Sequence, residues 1–194
     1  MATRRRTRHP LPITPGKKLT YRDYAKLPDD GMRYEVLDGE LHVTPAPVPK
    51  HQRVTQHLQF LLIVELEQKG LGRVYLAPID VLLGKYRIVQ PDILFIRKEH
   101  LAIVGPKNIR GAPDLIVEVL SPRTRRVDLT RKKPIYARSG VPCYWVVDPI
   151  VDRVELYRLE GERYVLEAQV ERPDIAEPRD FPGLRIPLDE VFAE

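Results

Sequence analysis

Residues 112–122 read APDLIVEVLSP and place one acidic side chain, Glu118, inside an otherwise apolar run. A run so rich in Val, Ile and Leu predicts a buried β-strand over residues 114–120. A carboxylate within such a strand is costly to bury unless it has a partner, binds a metal ion or lies at the exposed end of the strand. The pattern therefore identifies Glu118 as a candidate functional residue.

A second acid has the same setting in the preceding apolar run. The sequence IVQPDILFI at residues 88–96 places Asp92 directly after Pro91. If the two strands are neighbours, Asp92 and Glu118 reach one side of the sheet and supply the oxygen ligands that a hard cation such as Mg²⁺ requires. The alternative is that Asp92 caps a turn and that Glu118 pairs with a surface arginine.

A third acid has several candidates. Glu35 lies between Tyr34 and Val36 on a predicted strand, so we rank it first. Glu40 on the same hairpin is its alternative, and Asp80 in APIDVLL competes on the same grounds.

The segment after Glu118 is strongly basic and predicts a cationic helix. Lys132 shares the helix face of Leu129 and Tyr136, so we expect it to point toward the sheet, with Lys133 as the alternative. A cation there would lower the pKa values of the two acids and would stabilise charge on a phosphodiester. The competing interpretation is a solvated basic helix. The cations of this segment are Arg123, Arg125, Arg126, Arg131, Lys132 and Lys133.

Apolar periodicity and turn residues outline the rest of the chain. Together they predict a mixed α/β domain with one central sheet, in the order helix, three strands, helix, strand, with a hairpin added at each end. The predicted helices are 21–26, 50–69 and 128–139; the predicted strands are 73–83, 87–96, 114–120 and 143–147; the predicted hairpins are 34–43, around Asp38-Gly39, and 153–170, around residues 160–162.

Length and composition limit the domain count and the compartment. The 194 residues suffice for one domain, which we expect over residues 19–194, after a disordered basic tail at 1–18. Its one cysteine excludes a disulfide framework, and no membrane span or signal peptide is evident, so a cytoplasmic protein is expected. The net charge is +5, and the cations of the tail are Arg4, Arg5, Arg6, Arg8, Lys17 and Lys18.

Several catalytic classes lack their sequence signatures. No Walker loop, nucleophile elbow or dinucleotide fingerprint is present, which weakens kinase, triad-hydrolase and dehydrogenase interpretations. His51 and His57 lie on the long helix without the i, i+4 spacing of a zinc pair.

Four segments in order give the chain a resemblance to a known family. They are RYEVLDGEL at 33–41, QPD at 90–92, APDLIVEVLSP at 112–122 and DLTRKKPIYARSGVPCYWVVDP at 128–149. Together they resemble the Uma-two family of restriction-endonuclease-like proteins over about residues 19–170. The resemblance implies a PD-(D/E)XK nuclease fold, in which acids on adjacent strands bind magnesium to hydrolyse phosphodiester bonds.

The resemblance also assigns roles residue by residue. The family's hairpin acid matches Glu35, its Pro-Asp acid Asp92, its strand glutamate Glu118 and its helix lysine Lys132, with Asp92 and Glu118 as metal ligands. The superfamily places a lysine two residues after the strand acid, where this chain has Leu120. Lys132 must then replace it from the helix. Pro134 is a further departure, because proline fits a helix only in its first turn, which would require a start near Thr130.

These observations lead to one functional prediction and two rivals. The prediction is an endonuclease that uses Mg²⁺, with Mn²⁺ as a substitute, to cut DNA, and that forms a homodimer if it cuts both strands. The first rival is a nucleic-acid-binding protein that keeps the nuclease fold without cleavage, as the missing lysine at Leu120 suggests. The second is a structural protein whose acids form ion pairs with the basic helix.

Overall fold

The computed structural model describes residues 16–44 and 46–194. Most of the predicted basic tail, residues 1–15, lies outside the described part of the chain. The helices are α1 (Tyr21–Tyr24), α2 (Pro49–Leu62), α3 (Arg125–Val127), α4 (Lys133–Arg138) and α5 (Leu188–Val191), with π-helical turns at Ile63–Glu67 and Asp128–Lys132 and a 3-10 helix at Lys98–Ile103.

Thirteen strands occur in the described part of the chain, and they form three sheets. They are β1 (Arg33–Leu37), β2 (Glu40–Thr44), β3 (Gly72–Leu76), β4 (Val81–Gly84), β5 (Arg87–Val89), β6 (Ile93–Arg97), β7 (Ile109–Arg110), β8 (Leu115–Val119), β9 (Cys143–Asp148), β10 (Arg153–Glu160), β11 (Arg163–Glu171), β12 (Ile175–Ala176) and β13 (Ile186–Pro187).

The largest sheet has six strands in the order β11-β10-β9-β8-β6-β3. Only β8 and β9 are parallel, and the other neighbours are antiparallel. The predicted strands at 114–120 and 143–147 are confirmed as β8 and β9, and the predicted last hairpin is β10 and β11. Because β6 pairs with β8 in the register Ile93↔Val117, the residues next to that pair, Asp92 and Glu118, come together at the same end of the sheet.

The prediction of three unbroken adjacent strands is wrong. The runs at 73–83 and 87–96 are each divided between two sheets, and a second sheet has the order β2-β1-β5-β4-β7. Pro78 and Pro91 lie where the runs divide, because proline has no N–H to donate to a strand ladder. The chain therefore crosses from the five-stranded sheet to the six-stranded sheet between Val89 and Ile93, and Asp92 lies in this crossing.

The six-stranded sheet has a hydrophobic core on each face. One core packs it against α2 and the C-terminal segment and includes Val117 and Val119 of β8. The other packs it against α4 and the five-stranded sheet and includes Ile116 and Leu120. Since side chains alternate along a strand, Glu118 faces the second core with Ile116 and Leu120.

The first hairpin forms as its sequence predicts. Asp38 and Gly39 both have positive φ, at 52° and 97°, as a two-residue turn of this type requires. A Cβ on Gly39 would lie 2.7 Å from the Cβ of Lys18, so glycine also allows the close approach of the preceding segment. This turn fixes the register that pairs Glu35 with His42.

The basic helix is longer at its start than the sequence suggested. It runs from Arg125 through the π turn to Arg138, so it does not begin near Thr130. In the π turn the N–H of Lys133 donates to the carbonyl of Asp128. Pro134 directly follows this π turn, so the residue without an N–H lies where the regular α-helical ladder is already interrupted. Across residues 16–44 and 46–194, no helix has the length and apolar character to span a membrane.

Candidate active site

The four predicted site residues converge between the two large sheets. Glu35 comes from β1 of the five-stranded sheet, Asp92 from the crossing before β6, Glu118 from β8 and Lys132 from the π turn. All four are buried: Glu35 and Glu118 are 2% exposed, Lys132 3% and Asp92 7%. Charged side chains this deeply buried require partners, and each finds them within the group or beside it.

Lys132 lies at the centre of the cluster. Its Nζ is 2.5 Å from Glu118 Oε1, 3.1 Å from Glu35 Oε1 and 3.7 Å from Asp128 Oδ1. Burial alone would lower the pKa of Lys132, but the carboxylates of Glu118, Glu35 and Asp128 together raise it above the usual lysine value. The surrounding carboxylates therefore favour the charged ammonium form of Lys132.

Lys133, the alternative cation, points elsewhere. Its Nζ lies 3.2 Å from the centroid of the Tyr157 ring, on the face of the helix away from the acids. The structure thus brings Lys132, and not Lys133, to the carboxylates.

Glu118 also accepts a hydrogen bond from the helix. The hydroxyl of Tyr136 donates to Glu118 Oε1 at 2.5 Å. Burial raises the pKa of Glu118 well above the usual value, and the opposing effect of Lys132 is smaller. Lys132 lowers the pKa of Glu118 as expected, but burial and the nearby Asp128, Asp92 and Glu35 raise that pKa by more.

Glu35 is held by the backbone and a hydroxyl. Its Oε1 accepts the N–H of Gln90 at 2.8 Å, and its Oε2 accepts the hydroxyl of Thr44 at 3.0 Å. The first contact comes from the crossing segment just after β5 and the second from β2, so residues of the five-stranded sheet and its exit fix this carboxylate.

The two other candidates for the third acid lie apart from Lys132. Glu40 is exposed and pairs with Arg131 at 2.8 Å. Asp80 accepts hydrogen bonds from the hydroxyl of Tyr24 at 2.6 Å and from the side-chain amide of Gln90 at 2.9 Å. Asp80 therefore supports Gln90, which in turn holds Glu35.

Asp92 is held mainly through one oxygen. Its Oδ2 accepts the backbone N–H of Val119 at 3.0 Å and lies 3.1 Å from His51 Nε2. Its Oδ1 lies 3.6 Å from the guanidinium of Arg33. Burial would raise the pKa of Asp92, but His51, Lys132 and Arg33 outweigh that effect and lower it below the usual value. For this acid the expected lowering agrees with the structure.

The cluster lies at the base of a cavity of about 240 Å³. Asp92, Glu118, Glu35 and Lys132 line it together with residues from the loop after β2 and the loop after β8. Two of the lining side chains, Arg33 and Arg123, are guanidinium groups. A buried set of carboxylates thus opens onto a recess of mixed charge, whose lining also carries these two guanidinium groups.

The carboxylates of the cluster suit a magnesium ion. Within residues 16–44 and 46–194, no three His, Cys, Asp or Glu side chains are grouped so that they alone could hold a metal. Mg²⁺ does not need such a cage, since it commonly binds through one or two carboxylates and completes its shell with water and substrate phosphate. Asp92 and Glu118 supply two hard oxygen donors at one end of the sheet, so the residues fit this ion.

Sequence reasoning missed part of the site. His51 does not have the spacing to form a zinc pair with His57, yet it contacts Asp92 across the fold. Gln90 precedes the Pro-Asp pair and positions Glu35. Tyr136 was noted only as a neighbour of Lys132 on the helix, although it binds Glu118. Each contact joins residues from different elements, so local spacing carried no signal for it.

A described protein family matches most of the chain. The sequence model of Uma2, which carries the description "Putative restriction endonuclease", matches residues 21–189. The chain belongs to the Uma2 family. The match covers every residue of the cluster, so the Uma2 description supports a nuclease. No curated protein sequence matches the chain significantly.

A solved structure resembles this Uma2 chain over most of its length. It is described as a putative nuclease belonging to DUF820 from Anabaena variabilis ATCC 29413. The TM-score is 0.75, and the match covers 90% of this chain and 98% of the other at 20% sequence identity. The likeness confirms the predicted restriction-endonuclease-like fold.

Proposed function

We propose that the protein is a magnesium-dependent endonuclease that hydrolyses phosphodiester bonds in DNA. The observation that carries the proposal is the contact of one buried ammonium group, Lys132, with carboxylates from two sheets, beside Asp92 and at the base of a cavity. In the proposal Asp92 and Glu118 are metal ligands, Glu35 assists them and Lys132 is the catalytic cation. Mn²⁺ is expected to replace Mg²⁺.

Hydrolysis of a phosphodiester joins a water oxygen to phosphorus and breaks the bond from phosphorus to one sugar oxygen. Negative charge accumulates on the phosphate and on the leaving oxygen as this happens. When bound, Mg²⁺ polarises the phosphate and lowers the pKa of bound water. Lys132 adds a fixed positive charge that needs no rearrangement during the reaction, because Glu118, Glu35 and Tyr136 already hold its surroundings in place.

DNA is the proposed partner because the N-terminal segment is basic and two guanidinium groups line the cavity. The net charge is +5, and Arg33 and Arg123 line the recess above the acids. Contacts of this kind bind the phosphate backbone without reading its sequence. A homodimer would supply the two sites that cutting of both strands requires.

The test is cleavage of supercoiled plasmid DNA by the full chain with Mg²⁺, with Mn²⁺ and with chelator. The wild type should nick the plasmid only in the presence of metal, and Asp92→Ala and Glu118→Ala should each abolish nicking. Asp189→Ala, at an exposed acid paired with Arg172, is the matched control and should cut normally. Equal cleavage by the wild type and both site variants would overturn the site assignment.

The rival function is nucleic-acid binding without cleavage. It rests on Leu120, which occupies the usual lysine position and is 3% exposed in the hydrophobic core. A folded wild type that binds metal and DNA but cuts nothing under any of these conditions would favour it.

A further inference from the structure

His51 stands out as a buried titratable residue that lies beside the proposed site but has no role in it. It is 8% exposed, it lies in the first turn of α2 and it lines the same cavity as Asp92. Its Nε2 faces Asp92 Oδ2 at 3.1 Å. Because a carboxylate oxygen only accepts, the imidazole nitrogen in this contact must be the donor.

The contact restricts which oxygen of Asp92 is available. Oδ2 accepts from both His51 and the backbone N–H of Val119, so its lone pairs are occupied by groups from α2 and β8. Oδ1 forms an ion pair with Arg33 at 3.6 Å, which is longer than a hydrogen bond, and no hydrogen bond to Oδ1 occurs within residues 16–44 and 46–194. The carboxylate therefore presents Oδ1 to the cavity and keeps Oδ2 toward the protein.

The helix that carries the imidazole is itself held in place. The hydroxyl of Thr55 donates to the carbonyl of His51 at 2.8 Å, one turn along α2. Val54 and Leu58 of the same helix lie in the core against the six-stranded sheet. The helix that carries His51 is thus anchored to the six-stranded sheet, and Asp92 lies at one end of that sheet.

From this geometry we infer that His51 is a positioning residue, which fixes the carboxylate of Asp92 so that Oδ1 is directed at a divalent cation. The inference rests on the proposed function, because it assigns Asp92 as a metal ligand. Groups that orient a metal ligand in this way typically change metal affinity about 10- to 100-fold when they are removed.

The test measures metal binding directly, so it does not depend on cleavage. Mn²⁺ is titrated calorimetrically into chelator-treated wild type, His51→Ala, His51→Gln and Asp92→Ala, with His57→Ala as the matched control. His57 lies on the same helix, half-buried, with its Nδ1 3.3 Å from the carbonyl of Val191, and it does not line the cavity. Glutamine is the conservative variant, because its amide nitrogen reaches about as far as the imidazole Nε2.

His51→Ala should bind Mn²⁺ about 10- to 100-fold more weakly than the wild type, His51→Gln should recover much of that loss and His57→Ala should bind normally. Wild-type affinity in a folded His51→Ala protein, with binding lost in Asp92→Ala, would overturn the inference and leave the proposed function intact. Absence of Mn²⁺ binding by the wild type would overturn both. A lower melting temperature of His51→Ala with unchanged affinity would show a structural role and also overturn the inference.

Discussion

The ammonium nitrogen of Lys132 lies 2.5 Å from Glu118 Oε1, and both side chains are almost completely buried. Glu118 is on a central strand and Lys132 is on the helix that follows it. The helix therefore supplies the positive charge, because the strand has Leu120 at the position where the superfamily has lysine.

Replacement of this cation should abolish cleavage. Lys132→Met keeps the length of the side chain and removes the charge, so we expect nicking to fall by at least about 100-fold, as for loss of other groups that stabilise transition-state charge. Lys133→Met is the control, since its ammonium group lies against Tyr157 and not against the acids. The measurement is single-turnover nicking of plasmid DNA. Similar losses in both variants would contradict the distinct role of Lys132.

The same substitution should make stability depend on pH. Without Lys132, the carboxylates of Glu118, Glu35 and Asp128 are buried with no cation among them, which should cost about 3–5 kcal/mol of unfolding free energy at neutral pH. The pKa of Glu118 is already raised above the usual 4.5, and loss of the cation should raise it further. Above pH 4.5 the folded variant then binds more protons than the unfolded chain, so its stability falls as pH rises toward the raised pKa.

Urea unfolding of Lys132→Met and wild type at pH 5 and pH 8 checks that the stability of the variant falls as pH rises. Both pH values lie above the usual glutamate pKa of about 4.3. The deficit of the variant should be larger at pH 8. A deficit that is equal at the two pH values would show that the carboxyls are not the groups that respond.

Glu35 and Asp80 should have different roles, Glu35 in cleavage and Asp80 in stability. Glu35→Gln keeps the shape but removes the charge beside Lys132, so cleavage should fall strongly. Asp80→Asn weakens the hydrogen bonds to Tyr24 and Gln90, which should cost about 1–3 kcal/mol of stability. Its cleavage at a temperature where it is folded should stay near that of the wild type. Nicking rates and melting temperatures of both variants are the measurements, and a reversed order would reassign the third acid to Asp80.

Arg123 should contribute to DNA affinity and not to the chemical step. It is exposed and lines the cavity, so Arg123→Gln should remove about one phosphate contact and reduce the slope of log K against log salt by about 1. Arg163→Gln, at an exposed arginine outside the cavity lining, is the charge-matched control. Fluorescence anisotropy of a labelled duplex with chelator, at about 50 to 200 mM salt, measures the slope. Equal slopes for the two variants would argue against a specific DNA path over the cavity.

The local elements of the fold were predictable because their signals are local. The turn at Asp38-Gly39 needs positive φ at both positions, and the apolar spacing of Val54, Leu58 and Leu62 gives α2 its buried face. The division of two long apolar runs between sheets was not predictable from their composition. Both halves of each run are equally suited to strands, and the chain crosses between the sheets near Pro78 in the first run and near Pro91 in the second.

The acidic residues of the site were predictable because a charged residue inside an apolar run is unusual. Asp92 and Glu118 interrupt apolar runs, so their residue types alone marked them. The contact of His51 with Asp92 joins residues from α2 and the β5–β6 crossing, and no sequence spacing encodes it. The lowering of the Glu118 pKa by Lys132 was predictable, but the larger effect of desolvation was not, because it depends on the packed structure.

The π turn at Asp128–Lys132 holds one residue more than an α-helical turn would. Each residue of an α-helix advances about 100° around the axis, so loss of one residue from this turn would rotate its two sides against each other by that angle. Either Asp128 or the pair of Lys132 and Tyr136 would then leave the carboxylates of the sheet. Deletion of one residue from this turn would thus remove either Asp128 or both Lys132 and Tyr136 from the cluster, although the acids of the sheet would all remain in place.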